Sequence, residues 1–366
     1  MVVNKIGIDA RLYSQTGVGV YLRNLLYYLE KANPKDLHFY IYLIDRDYQK
    51  VNFKKASFTK IRANWHWHTF GEQSGFLQAI NGDNLDLMHF TYFGYPVFYK
   101  RKFVATVHDL TPLLFKTGQA STKSKFIYGG KHFIFKNLVL KNQVSNATRI
   151  ITPSAWVKKQ LGNIYGKAIE GKTMAIHEGI NQEIFNAEEN TGLKSQFNSF
   201  FVYIGNFYPH KNVNRLVQAF SQIKTDIKLI LVGPDDFFAK QIKELISKLK
   251  CETQIRLFHN PTLSEFVFFY KNAQALIHPS LSEGFGLPAV EAAYFNCPII
   301  ASDIPVFQEI LGDKYLKFDP YRIEDIKDKI EQFITNQPQF DLKSLVKKYS
   351  FEAMTQKTLA VYNQLL

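Results

Sequence analysis

The segment Pro279-Ser280-Leu281-Ser282-Glu283-Gly284-Phe285-Gly286-Leu287-Pro288-Ala289-Val290-Glu291-Ala292 sets two carboxylates on either side of a glycine pair. A strand ending at His278 would place this loop at a carboxyl edge, where doubly wound parallel sheets bind ligands. Gly284 and Gly286 let the backbone come close to a ligand. Pro288 suits the first turn of a helix, whose N–H groups and dipole favour an anion such as a diphosphate. Glu291 is expected within that first turn, facing a sugar hydroxyl. A carboxylate repels phosphate, so Glu283 and Glu291 suit polyol contacts flanking it. Read blandly, the two are a solvated loop residue and a carboxylate serving the helix dipole.

The elements that must position this loop alternate between strand and helix. Lys5–Ile8 reads as a buried strand, Gly17–Leu26 opens a helix, and further strands are expected at 38–44, 85–90, 103–107 and 149–152. The pattern restarts with strands at 200–205, 228–232, 255–258, 275–278 and 298–301. Helices are expected at 212–222, 240–250 and 288–294. The turn-rich stretch Glu178-Gly179-Ile180-Asn181-Gln182 reads as a linker. The fold class is α/β, with two doubly wound Rossmann-like domains and a cleft between them.

With Glu283 and Glu291 around GFGLP, the sequence resembles the retaining glycosyltransferases of family 4, which have the GT-B fold. The resemblance extends to GIDARLYSQTGVGVYLRNLL, to Thr106–Leu113 (TVHDLTPL), to ATRIITPS at 147–154, and to YIGNFYPHKN and LILVGP in the second half. The final stretch SFEAMTQKTLAVYNQLL resembles the family's C-terminal helix, which crosses back onto the N-terminal domain. The implied domains are 1–180 plus 351–366, holding the acceptor, and 181–350, holding the nucleotide sugar.

The resemblance implies roles by position. Glu291 binds the nucleotide ribose, and Glu283 lies at the transferred sugar beside the positive charge developing on its anomeric carbon. Lys211 neutralises the donor diphosphate as it departs. His108 contacts the sugar, with a satisfied strand-end histidine as the bland alternative; Asp109 orients it or contacts the acceptor. Gly17, Gly19, Gly205, Gly284, Phe285, Gly286 and Leu287 bring backbone to the donor. Where the family often carries arginine, this chain has His210 and Asn206, and His210 replaces a phosphate-binding cation only if protonated. Asp45-Arg46-Asp47 imitates a metal motif of another glycosyltransferase architecture, but no catalytic metal is expected and no cofactor beyond the donor, with GDP-mannose as first choice.

Lys and Arg number 45 against 32 Asp and Glu, a formal charge of +13, which invites nucleic acid, an anionic membrane surface or an anionic substrate as partner. A diphosphate donor explains part of the excess. The remainder suggests peripheral attachment to an anionic membrane carrying a lipid-linked acceptor, and the Lys123–Lys141 stretch, rich in lysine and aromatics, suggests the same. No recognised nucleic-acid motif accompanies that stretch. Cys251 and Cys297 are too few for a disulfide framework or a zinc site, so a reducing, cytoplasmic compartment is expected. Neither a signal peptide, a membrane span nor a repeat is read. The glycine pair at 17 and 19 lacks the third glycine of a dinucleotide fingerprint, which disfavours an oxidoreductase. A sugar-nucleotide epimerase or hydrolase of the same fold is the nearest alternative.

Overall fold

The computed structural model describes residues 3–115 and 139–366. The apolar runs of the first half form β1 (Asn4–Asp9), β2 (Leu37–Leu43), β4 (Leu87–Phe90), β5 (Phe103–Thr106) and β6 (Arg149–Thr152). They are joined by β3 (Phe58–Arg62) and β7 (Thr173–Ala175), which the sequence pattern does not announce. All pair in parallel, in the order β3-β2-β1-β4-β5-β6-β7. β4 and β5 are buried along their whole length, which is why they read as mostly apolar rather than alternating.

The second half repeats the design. Its strands are β8 (Phe200–Ile204), β9 (Lys228–Gly233), β10 (Ile255–His259), β11 (Leu276–His278), β12 (Ile299–Ser302) and β13 (Leu316–Phe318). They form a six-stranded parallel sheet in the order β10-β9-β8-β11-β12-β13. Phe201, Tyr203, Leu229, Leu231, Ile277 and Ile300 pack there against the apolar faces of the helices Val213–Phe220, Phe237–Lys248 and Ile323–Asn336.

Strand order reverses between β1 and β4 in one sheet and between β8 and β11 in the other. At such a point the outgoing loops diverge to opposite faces and leave a crevice at the carboxyl edge. Arg11 follows β1, Thr91 follows β4 and His108 follows β5. In the second sheet, Gly205 follows β8 and His278 ends β11. Arg11 and Thr91 therefore flank the switch point of the first sheet, with His108 one strand further along, and Gly205 and His278 flank that of the second.

Packing divides the described chain into two compact units: residues 3–110, 139–178 and 350–366, and residues 111–115 and 179–349. Residues 111–115 thus pack with the second unit rather than with the domain that precedes them in sequence; the Phe115 ring lies 5.9 Å from that of His210. The helix Phe351–Asn363, capped by Ser350, returns to the first unit and packs on the helix Val18–Ala32. Its Tyr362 hydroxyl meets His89 Nδ1 at 2.6 Å, and His89 Nε2 meets Thr106 Oγ1 at 2.7 Å. Burial pushes His89 down to about 3, so the ring is neutral and joins the C-terminal helix to the end of β5. Among the described residues, no helix is long and apolar enough to cross a membrane.

Candidate functional site

In the second unit, two loops meet at the carboxyl edge. Gly205 leaves β8 with φ +151°, a backbone geometry that glycine adopts at little cost. The chain then runs through a short 3₁₀ turn, Pro209–Lys211, to Asn212 in the left-handed region. The Asn212 amide donates to the Pro279 and Pro320 carbonyls at 3.0 and 2.8 Å, and the Leu281 N–H donates to the His210 carbonyl at 2.8 Å. These bonds tie the Lys211 loop to the Glu283 loop. Lys211 Nζ reaches Glu283 Oε1 at 2.6 Å. The same oxygen accepts from His278 Nε2 at 2.9 Å and from Ser280 Oγ at 2.7 Å.

Burial alone would push the Glu283 carboxyl up. The Lys211 charge and the bonds from His278 and Lys211 outweigh it, and the group stays well below the usual carboxylate range. His278 is pushed down by burial against the pull of Glu283, so it is a neutral ring donating from Nε2. The second carboxylate behaves in the opposite way. Glu291 takes one hydrogen bond, from the Tyr270 hydroxyl at 2.8 Å, and burial pushes it up to about 7. It lies beyond the first turn of the helix Leu287–Tyr294, which carries no acidic residue there. That corrects the expected first-turn placement: with Gly286 as N-cap, Glu291 is the fifth helical residue.

Gly286 has φ +91°, and a Cβ at this position would lie 2.6 Å from the ring carbon Cε1 of the buried Phe307. Left-handed backbone costs an ordinary residue roughly 1–2 kcal/mol before any clash. Gly286→Ala is expected to destabilise the protein by at least about 2 kcal/mol, read as a lower urea midpoint with unchanged slope. A midpoint equal to wild type would contradict this role.

In the first unit, His108 is buried. Its Nε2 lies 3.0 Å from the Thr91 carbonyl oxygen and its Nδ1 3.2 Å from Glu178 Oε1, while the Tyr21 ring meets it edge-on at 4.8 Å. Beside it, Arg11 forms a buried ion-pair cluster. Its guanidinium donates twice to Asp9, at 2.9 and 2.7 Å, and once each to Glu72 and the Trp65 carbonyl, both at 2.8 Å; it also stacks 3.9 Å from the Phe76 ring centroid. The cluster fixes the loop from Trp65 to Glu72. A small cavity there is bordered by Asp9, Arg11, Trp67, Thr91, Tyr92 and Gly94.

Residues 186–351 match the family described as Glycosyl transferases group 1. The match covers the greater part of the second unit. The chain is 28% identical to the O-antigen chain mannosyltransferase RfbU of Salmonella typhimurium, over 71% of this chain and 72% of that one. It is 25% identical to an uncharacterized glycosyltransferase of Methanocaldococcus jannaschii, over 100% and 99% of the two chains. Among solved structures, sucrose-phosphate synthase of Thermosynechococcus elongatus superimposes with a TM-score of 0.78 at 19% identity, covering 99% of each chain. Anabaena HepE in complex with UDP and glucose superimposes with a TM-score of 0.76 at 14% identity, covering 98% of this chain and 99% of that one. These likenesses show the fold, GT-B, with two Rossmann-like units.

Within the matched segment, the structure brings Lys211, His210, Gly205, Glu283, Gly284, Gly286, Leu287 and Glu291 to one sheet edge, but it changes several expected contacts. Lys211 is no ordinary surface lysine; its charge is matched by Glu283. His210 is buried, and its burial and the Lys211 charge push it down to about 3, so it is a neutral ring in this structure. The Phe285 ring is buried against Tyr349, 5.4 Å between centroids, so only its backbone is available to a donor. Outside the matched segment, a Cβ at Gly19 would lie 2.6 Å from the Tyr13 carbonyl oxygen. At Gly17, with φ +62°, a Cβ would meet nothing within 4 Å. Asp109 is half-buried after His108. Asp45 pairs with Arg62 at 3.0 Å, while the buried Asp47 turns to Ser14 and Arg46, so the pair does not converge on a common point. Among the described residues, no group of His, Cys, Asp and Glu is arranged to hold a metal. Most of the Lys123–Lys141 stretch lies outside the described residues. His278, Ser280, Tyr270, Glu178, Arg11 and Glu72 were not singled out for chemistry by sequence. His278 and Ser280 do lie within five residues of Glu283, a spacing that could have drawn attention to them.

Proposed function

We propose that this chain is a retaining hexosyltransferase. In this reading it moves mannose from GDP-mannose to a hydroxyl of a saccharide or lipid-linked saccharide during cell-surface polysaccharide synthesis. The observation that carries the reading is the set Lys211, Glu283, His278 and Ser280 at the sheet switch point of the segment that matches the group 1 transferases. The mannose donor rests on the named relative RfbU.

Glu283 Oε1 holds three donors, and donor binding needs only one of them to move. Lys211 turns toward the diphosphate, while His278 and Ser280 keep the carboxylate in place beside the anomeric carbon. The bond from that carbon to the phosphate oxygen breaks, and a bond to the acceptor oxygen forms on the same face. The acceptor's proton passes to the departing phosphate. Lys211 stabilises the charge gathering there, and ionised Glu283 stabilises the positive charge on the sugar.

Glu291 is assigned to the ribose hydroxyls, which an ionised carboxylate accepts from best. Since Glu291 sits at about 7, donor binding should tighten as pH rises from 6 to 8, approaching tenfold per unit below its midpoint. Glu291→Gln should flatten this dependence; titration calorimetry with GDP at three pH values reads it, and a slope retained in the variant would refute the ribose role. Stability runs the other way. The folded state holds this proton longer than the unfolded chain does, so the group destabilises the fold as pH rises from the ordinary carboxylate range through about 7.

A panel of GDP-mannose, UDP-glucose and UDP-galactose, each incubated with and without lipid-linked saccharide from a bacterial membrane, tests the reaction class. Transfer from GDP-mannose that depends on acceptor supports the reading. Equal donor consumption without acceptor supports an epimerase or hydrolase instead. Sedimentation of the chain with anionic vesicles at low salt, reversed at high salt, would add the membrane surface as a partner.

A further inference from the structure

His108 faces two groups that accept hydrogen bonds. The Thr91 carbonyl can only accept, so His108 Nε2 carries a hydrogen. In a neutral ring, Nδ1 would then be a bare lone pair 3.2 Å from a carboxylate oxygen of Glu178. His108 is 9% exposed and Glu178 5%, which leaves such a clash of acceptors little solvent to relieve it. The contact makes chemical sense with one further proton between Nδ1 and Oε1. Among the described residues, Tyr21 and His89 face or adjoin the ring and do not supply it. Tyr21 meets it edge-on and is a phenol held far above its ordinary value by burial, and His89 is neutral. Asp109 follows His108 in the chain.

We propose that Glu178 is a positioning residue for His108, holding a proton on Nδ1 and so fixing the imidazole as a donor at both nitrogens at the end of β5. Glu178 is the last residue of the first unit and is 70 positions from His108 in sequence. The pair then carries no net charge, which lowers the cost of burying it. Glu178 Oε1 keeps a further lone pair, which can accept from a sugar hydroxyl. This last consequence rests on the transferase reading; the protonation does not.

The test uses the full chain labelled with ¹⁵N-histidine, with the His108 signals assigned by their loss in His108→Gln. Near neutral pH, both His108 nitrogens should show the shifts of protonated ring nitrogens. In Glu178→Gln the side-chain amide can donate to Nδ1 without any shared proton, so the Nδ1 signal should move to the range of an accepting nitrogen. Transfer should fall about tenfold in Glu178→Gln and at least about a hundredfold in Glu178→Ala, the conservative variant retaining the orientation that Ala loses. A wild-type Nδ1 in the unprotonated range, or a His108 pattern unchanged in Glu178→Gln, overturns the proposal whether or not the chain transfers sugar. Wild-type protein that shows the expected shifts but transfers nothing would count against the transferase reading and leave the pairing intact.

Discussion

Glu283→Gln is expected to lower sugar transfer at least about a hundredfold while the protein still folds. Gln keeps an oxygen where Oε1 accepts from Lys211, His278 and Ser280, so the loop is retained. The negative charge is what disappears. In a buried site a fixed charge facing a developing one acts with little screening, and its loss typically costs about 3–4 kcal/mol of transition-state stabilisation. The stability effect has a defined pH course. Because the folded carboxyl sits below its ordinary value, its contribution is present above the unfolded value and is lost as pH falls through the folded one. The variant should therefore be less stable than wild type at pH 7, with the difference shrinking in acid. Chemical denaturation at pH 7 and pH 3 reads the second effect, and steady-state kinetics the first. Wild-type turnover in the variant would remove Glu283 from the reaction.

Lys211→Met should cost about 10²–10³-fold in kcat/KM for the donor. At the two positions where an arginine was expected, His210 is neutral and position 206 is an uncharged asparagine. The selectivity of the loss identifies the cause. A nucleoside diphosphate places its charge at the ammonium, whereas the matching nucleoside does not. Calorimetry should therefore show diphosphate binding weakened and nucleoside binding nearly unchanged. Equal weakening of both would mean that the substitution damaged the loop, since Lys211 also anchors Glu283, and would contradict a phosphate role.

The parts legible in sequence were those whose signal is local. The buried strands β4, β5, β8 and β11 are short, mostly apolar runs because both their faces are covered. The missed strands β3, β7 and β13 are all at sheet edges, where one side is open and the residues are half-polar, as in Phe-Thr-Lys-Ile-Arg at 58–62. The site divides similarly. Lys211, Glu283 and Glu291 stand out through their spacing against glycines and helix starts. Their protonation is not a local property: Glu283 is held ionised by Lys211, 72 residues away, and Glu291 is held up by burial. Glu178 reads in sequence as a turn residue of a linker, because its partner His108 comes from a strand end 70 residues earlier. Arg11 and Glu72 were invisible for the same reason, being joined only when β1 and the Trp65–Glu72 loop meet.

The central claim is retaining transfer governed by Lys211 and Glu283. NMR of the anomeric proton in the purified product, formed from GDP-mannose or whichever donor of the panel is turned over, tests it most directly. The account predicts that the product keeps the anomeric configuration of the donor, and that Glu283→Gln yields little of it. An inverted anomeric centre, or full yield from the variant, would contradict the account.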